Sequence, residues 1–327
     1  MEAPAQRIRG LILRLRPLTL VSTVAVAALL LTGCSGSQKL SESSKPTDSA
    51  DLCAQAAEPG ALTDSVDVSG EFGTPAKITV AKEQKVEDVQ RTVVTEGDGD
   101  KVGEGDYISY AMSAFDAKTG DHLGDLGYTE GELLPQNALA NQALAEAIGC
   151  ATVGTRVAFA LPATDGADSQ LYIIDVLDKV PTAAWGEKQE PVDGMPTVKL
   201  AENGEPDVNV PTGDAPKELQ ISVLKQGDGP AVADGDTTLL QYYGVDWKSG
   251  ESFDSSWSNG APYAAPGNTY VPGFVQALAG QKVGSQVLVV IPPELAYGED
   301  PEGHELGGQT LVFVIDILAT QHAPAAQ

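Results

Sequence analysis

Val271-Pro272-Gly273-Phe274-Val275-Gln276-Ala277-Leu278-Ala279-Gly280 decides how this 327-residue sequence is read. Pro272 suits a first helical turn, where its missing N–H is no loss, and Gly280 suits the stop. Phe274, Ala277 and Leu278 fall at i, i+3 and i+4 on one face. The spacing therefore predicts a short helix over 272–278 with an apolar side to bury. Outward from it the pattern changes period. Thr237 to Tyr243, Gln286 to Ile291 and Thr310 to Ile317 are short runs rich in β-branched and aromatic residues, and Thr197 to Leu200 and Asp207 to Val210 are shorter extended segments between turn formers. One short helix against an antiparallel sheet is an α+β design, with a hollow where aromatic residues from several segments converge.

The same pattern occurs twice. Gly97-Asp98-Gly99 returns as Gly227-Asp228-Gly229, Gly105-Asp106 as Gly235-Asp236, Lys118 with Gly120 as Lys248 with Gly250, and Val153-Gly154 as Val283-Gly284, always 130 residues on. Leu144, Ala147 and Ile148 likewise match Phe274, Ala277 and Leu278. A constant offset over separate features argues for a duplicated domain. The expected layout is a first copy over 60–182, a Pro/Gly/acidic linker over 183–195, a second copy over 196–320 and a tail over 321–327.

Composition narrows the chemistry. Asp and Glu number 46 against 20 Lys and Arg, a formal charge of −26, so phosphate-led binding of nucleic acid is a poor guess. With 42% apolar residues the chain buries cores, and its length suits two domains. Three His and three Cys leave little material for a histidine-based metal site or a Cys/His nucleophile. The acidic cluster Asp98, Asp100, Glu104 and Asp106 lacks the ladder and terminal Glu of a calcium loop and reads as solvated turns.

The first 33 residues read as a targeting segment. Arg7, Arg9, Arg14 and Arg16 precede an apolar run from Leu18 to Leu31, which ends at Leu31-Thr32-Gly33-Cys34. An uninterrupted span of about 14 residues is short for the roughly 20 of a membrane helix. The segment resembles a bacterial lipobox, which implies cleavage before Cys34 and a diacylglyceryl group on its thiol. Residues 34–59 then form a flexible tether, and the protein sits lipid-anchored on the extracytoplasmic face of a bacterial cell membrane. In that oxidising setting Cys53 and Cys150 make an even pair, and a disulfide between them is the working expectation, with two free thiols as the alternative.

Gln241-Tyr242-Tyr243-Gly244, Gly250-Glu251-Ser252-Phe253-Asp254-Ser255-Ser256, Val271-Pro272-Gly273-Phe274, Ile291-Pro292, Leu295-Ala296-Tyr297-Gly298 and Leu311-Val312-Phe313 stand in one order. Over about Glu218 to Ala319 this set resembles the FKBP-type peptidyl-prolyl cis/trans isomerases. The resemblance implies a twisted antiparallel sheet around a short helix, twice in tandem here. It also implies a pocket lined by Tyr242, Phe253, Asp254, Tyr263, Val271, Phe274, Ala296, Tyr297 and Phe313. Phe274 stands where many relatives have Trp, and Tyr263 where many have Phe.

Such a site needs no cofactor and no metal. Phe253, Phe274, Tyr263 and Phe313 would hold a prolyl ring, Tyr297 would donate to a substrate carbonyl, and Asp254 would order the pocket through Tyr242 or interact with the twisted carbonyl carbon. The partners implied are proline-containing exported polypeptides, with macrolide inhibitors as possible ligands. In the first copy Tyr242 becomes Met112, Phe253 becomes Leu123 and Asp254 becomes Gly124, and the Ala-Tyr-Gly segment has no counterpart. That copy reads as degenerate. Two functions follow: a lipid-anchored isomerase assisting the folding of exported proteins, or a non-catalytic chaperone that uses the same hollow for binding alone.

Overall fold

The computed structural model describes residues 51–80, 85–165 and 167–323. Cys34, the signal segment and most of the expected tether lie outside them. Among the described residues no helix is long and apolar enough to cross a membrane.

The N-terminal half begins with two short helices, α1 (Leu52–Gln55) and α2 (Ala61–Ser65), and a hairpin of β1 (Asp67–Ser69) and β2 (Lys77–Thr79). There follow β3 (Gln90–Thr95), β4 (Tyr107–Asp116), β5 (His122–Leu126), β6 (Gln136–Asn137), α3 (Gln142–Ile148), β7 (Arg156–Leu161) and β8 (Gln170–Val180). The C-terminal half runs β9 (Glu187–Lys188), a hairpin of β10 (Thr197–Leu200) and β11 (Pro206–Asn209), then β12 (Gln220–Gln226), β13 (Thr237–Asp246), β14 (Ser252–Ser255) and β15 (Tyr263–Pro266). It ends with α4 (Pro272–Leu278), β16 (Gln286–Ile291) and β17 (Leu311–Gln321).

Every strand pair is antiparallel. One sheet has the order β3-β7-β8-β4-β5 and the other β9-β12-β16-β17-β13-β14, with β6 and β15 pairing β4 and β13. Thr92 faces Ala158 as Ser222 faces Leu288. Breaks in register after Val93, Ser109 and Ala114 recur after Val223, Leu239 and Gly244, again 130 residues on. A bulge bends its strand, so repeated bulges give the two sheets the same local bends.

β16 and β17 are apolar over most of their length, with Gln286, Asp316 and Thr320 as buried polar exceptions, because both faces are covered. Phe313, Ile315, Ile317, Val287 and Val289 face α4, whereas Val312, Val314, Leu288 and Val290 face the β10–β11 hairpin with Trp247 and Met195. α4 lies close against β16, since a Cβ on Gly273 would collide with Ile291 Cγ2. The helix occupies the span its sequence signals mark. β13 and β17 run on to Asp246 and Gln321, beyond the expected Tyr243 and Ile317, because their ends pair with each other at Leu311 and Thr237.

Two boundaries differ from the sequence reading. The stretch 183–195 is not a free linker. Ala184 is buried, Gly186 N donates to Gly284 O (2.9 Å), and β9 joins the edge of β12. Its anchor is the buried Asp316, which accepts from Ala184 N (2.8 Å) and Gln286 Nε2 (2.7 Å). At the matching place in the first sheet, Asp175 accepts from Gly73 N (2.8 Å) and pairs with Arg156, whose guanidinium also donates to Gly70, Glu71 and Thr74 carbonyls. Likewise the end of the expected tether is folded. Leu52 of α1 is buried against α3, Ala57 N donates to Glu146 O (3.0 Å), and Cys53 is joined to Cys150.

The halves also touch directly. His322 N donates to Gly131 O (2.7 Å), Gln321 Nε2 to Glu132 O (2.9 Å), and Leu134 shares an apolar cluster with Leu239 and Leu318.

Candidate functional site

The site is built around a missing side chain. Gly244 of β13 sits opposite Phe313 on β17 and Asp254 on β14. A Cβ there would come within 2.7 Å of Phe253 Cζ and 2.9 Å of Phe313 Cε1. Only glycine lets both rings close over the strand. Phe313, buried at 6% exposure, is then the hub of three edge-to-face pairs: with Phe253 (5.4 Å, 88°), Phe274 (5.2 Å, 84°) and Tyr242 (6.4 Å, 62°).

These rings line an open hollow of about 160 Å³ on the helix side of the sheet, together with Asp254, Tyr263, Thr269, Tyr270, Val271 and Tyr297. The sheet supplies Tyr242, Phe253, Asp254 and Phe313, α4 and the turn before it supply Val271 and Phe274, and β15 supplies Tyr263. Of the nine residues expected from sequence, eight are walls of this hollow. Ala296 is not one. It packs against the same core beside Leu295.

Thr269 and Tyr270 are the walls that sequence reasoning missed, and Tyr270 is the aromatic one. Its ring stacks on Phe274 (4.7 Å, 25°), and its hydroxyl lies 3.3 Å from Thr238 Oγ1. Stacking beside Phe274, it widens the aromatic floor. The signal was its place directly before Val271-Pro272, at the helix entrance. Trp257, which follows the Phe253-Asp254 motif in the sequence, lies 3.3 Å from where a Gly204 Cβ would stand, on the turn between β10 and β11, and does not line the hollow.

Polar groups stand at the mouth. Tyr242 Oη donates to Asp254 Oδ2 (2.7 Å). Burial, then the Asp254 carboxylate, pushes the Tyr242 phenol far above its ordinary value, so it remains a donor. Burial pushes Tyr270 up to about 12. Tyr297 is also raised, by burial and then by the charge of Asp254, and 40% of it remains exposed. Its ring stacks on His304 (3.9 Å, 3°), whose Nδ1 accepts from Leu306 N (3.0 Å). Three phenols held in the protonated form around an apolar floor suit hydrogen bonding and shape recognition.

Comparison with known proteins decides the family. The sequence pattern of the FKBP-type peptidyl-prolyl cis-trans isomerases matches residues 229–318. A probable FK506-binding protein of Corynebacterium glutamicum is 41% identical over 114 residues, which is 35% of this chain and 97% of that protein. The chain belongs to the FKBP-type peptidyl-prolyl cis-trans isomerase family. Its activity is accordingly the cis–trans isomerisation of X-Pro bonds. An FK506-binding protein of Streptomyces anulatus is 37% identical over 118 residues, covering 35% of this chain and 95% of that one. FkpA of Escherichia coli is 35% identical over 108 residues, 33% of this chain and 40% of its own length. The crystal structure of FkpA from Escherichia coli aligns over 41% of this chain and 54% of that one at 31% identity, with a TM-score of 0.30. The FKBP match falls wholly within the C-terminal half, around the hollow.

Proposed function

We propose that this FKBP-family isomerase is lipid-anchored through Cys34 and acts on exported polypeptides at the outer face of a bacterial cell membrane, with the C-terminal hollow as its active site. The observation that carries the site is the convergence of Phe253, Phe274 and Phe313 over Gly244 with Tyr242 held to Asp254.

The chemistry follows from amide resonance. Rotating an X-Pro bond means giving up partial double-bond character, against a barrier of about 18 to 20 kcal/mol, and the free reaction takes tens to hundreds of seconds. The prolyl ring seats among Phe253, Phe274, Tyr270 and Phe313, which keep water from the imide. Tyr297 donates to a substrate carbonyl at the mouth, and Asp254 acts by orienting Tyr242. A site that fits the twisted imide better than either planar form lowers the barrier by differential binding. The same aromatic floor accommodates a macrolide, and Phe274 makes that floor smaller than one built on Trp.

The N-terminal half is proposed as a second, degenerate FKBP-like domain that positions or stabilises the first site. It has the same strand order and bulges, with Met112, Gly124 and the 55%-exposed Leu123 where the hollow has Tyr242, Asp254 and Phe253.

The test is an X-Pro peptide exchange assay on the described ectodomain beside Phe253→Leu, together with fractionation of Cys34→Ser. Wild-type acceleration lost in the first variant, and release from the membrane fraction in the second, are the expected results. An unchanged rate in a folded Phe253→Leu would reject the site, and membrane retention of Cys34→Ser would reject the anchor.

A further inference from the structure

The two halves differ sharply on the outer face of the sheet, away from the isomerase hollow. In the N-terminal half that face is closed by α2. Leu62, fully buried, packs with Ala158 and Ala160, and Leu62 N donates to Gln90 Oε1 (3.1 Å). Thr92 Oγ1 is satisfied by Thr63 Oγ1 (2.9 Å) and Asp64 Oδ1 (2.6 Å) of the same turn.

The offset of 130 extends through this region, since Val68 pairs with Ile78 as Val198 pairs with Val208. The counterpart of α2 is therefore Pro191-Val192-Asp193-Gly194-Met195. It is not a helix: Gly194 takes φ +84°, Val192, at the offset position of Leu62, is 53% exposed, and Met195 instead packs on Leu288 and Val290. Ser222, in the place of Thr92, is 5% exposed and its hydroxyl has no partner. It lines an open groove of about 480 Å³ with Leu224 and Leu288 at its base.

A buried hydroxyl without a partner has lost its water without a replacement, so an occupant that satisfies it is favoured. The groove's charge selects the occupant. Lys188, Lys199 and Lys225 line it and no Asp or Glu does, in a chain where acidic residues outnumber basic ones by 46 to 20. We propose that this groove binds, in trans, a short helical turn of an acidic polypeptide. An aliphatic side chain of that turn enters against Leu224 and Met195, and its next hydroxyl or carboxylate reaches Ser222, as Thr63 and Asp64 reach Thr92 in the first half. The inference is independent of the isomerase reading, because Leu288 and Phe313 lie on opposite faces of the sheet.

The probe is the proline-free peptide of residues 60–66, acetylated and amidated, titrated into the isotope-labelled ectodomain at low salt and followed by NMR. Saturable shifts at the Ser222, Leu224 and Leu288 amides are expected. Affinity should fall at least fivefold in Lys188→Glu/Lys199→Glu, and also in Ser222→Ala, which removes the unsatisfied hydroxyl and should fold at least as stably. Pro191→Ala, Val192→Leu, Asp193→Thr and Gly194→Asp together should build the missing turn in cis and abolish binding. No shifts at millimolar peptide, shifts confined to other surfaces, equal affinity in the charge-reversed variant, or concentration-dependent self-association at the groove in place of peptide binding would each overturn the proposal.

Discussion

Reduction of the Cys53–Cys150 bond is expected to weaken one half of the molecule and spare the other. The bond closes a loop whose ends are 97 residues apart. In the chain-entropy treatment a loop of that size stabilises by about 4.7 kcal/mol, by restricting the unfolded chain. For a unit of roughly 130 residues, at about 3 to 4 °C per kcal/mol, the midpoint should drop by on the order of 15 °C. Leu52, the Ala57–Glu146 bond and the Arg91 contacts to the α3 carbonyls remain in the reduced fold, so the loss should come through the unfolded state rather than through broken packing. The protein supplies its own reporter, because all three tryptophans, Trp185, Trp247 and Trp257, lie in the C-terminal half. Far-ultraviolet circular dichroism follows both sheets, while tryptophan fluorescence follows one. Reduction should move part of the dichroism transition downward and leave the fluorescence midpoint within a few degrees. A fluorescence midpoint that falls in parallel, or no change in either signal, would refute the reasoning.

Three further outcomes are expected. Gly244→Ala should cost about 1 to 3 kcal/mol by overpacking and lower the exchange rate more than it lowers stability, because the added methyl meets Phe253 and Phe313; a folded variant of full activity would show that the close approach is not needed. Tyr297→Phe keeps the ring on His304 and deletes one hydroxyl, so its rate should fall with its melting midpoint unchanged, and an unaltered rate would remove the hydrogen bond from the mechanism. Asp316 is held above the ordinary carboxylate value by burial, offset in part by Ala184 N and Gln286. Its linked stability is therefore present in acid and lost as pH rises through the folded value, so the stability of Asp316→Asn relative to the parent should be higher at neutral pH than near pH 3. Urea denaturation at the two pH values checks it, and a relative stability that falls towards neutral pH would show that the ionised form is the one that clamps Ala184.

What the sequence makes legible is whatever is local. Pro272, Gly280 and the Phe274-Ala277-Leu278 face mark a helix because its ends and its buried side lie within ten residues. The run 286–291 marks a strand covered on both faces. The aromatic walls were found through an ordered motif, each piece of it short. What escaped depends on distance. The grip of Asp316 on Ala184 joins a carboxylate to a backbone N–H 132 residues away, and a backbone donor has no letter in the sequence. A stretch rich in Pro, Gly and acids therefore looks like a linker although it is pinned. Tyr270 escaped for a related reason, since its stacking on Phe274 depends on how the chain turns into α4.

The most direct test of the central claim is the rate of cis–trans exchange in a short X-Pro peptide, measured with residues 183–323 and, separately, with residues 51–181. The C-terminal piece, which keeps Ala184 on Asp316 and the whole aromatic hollow, should accelerate exchange well above the uncatalysed rate, and the N-terminal piece should leave it unchanged. Equal acceleration by both folded pieces, or none by the C-terminal one, would contradict the assignment of catalysis to the hollow over Gly244.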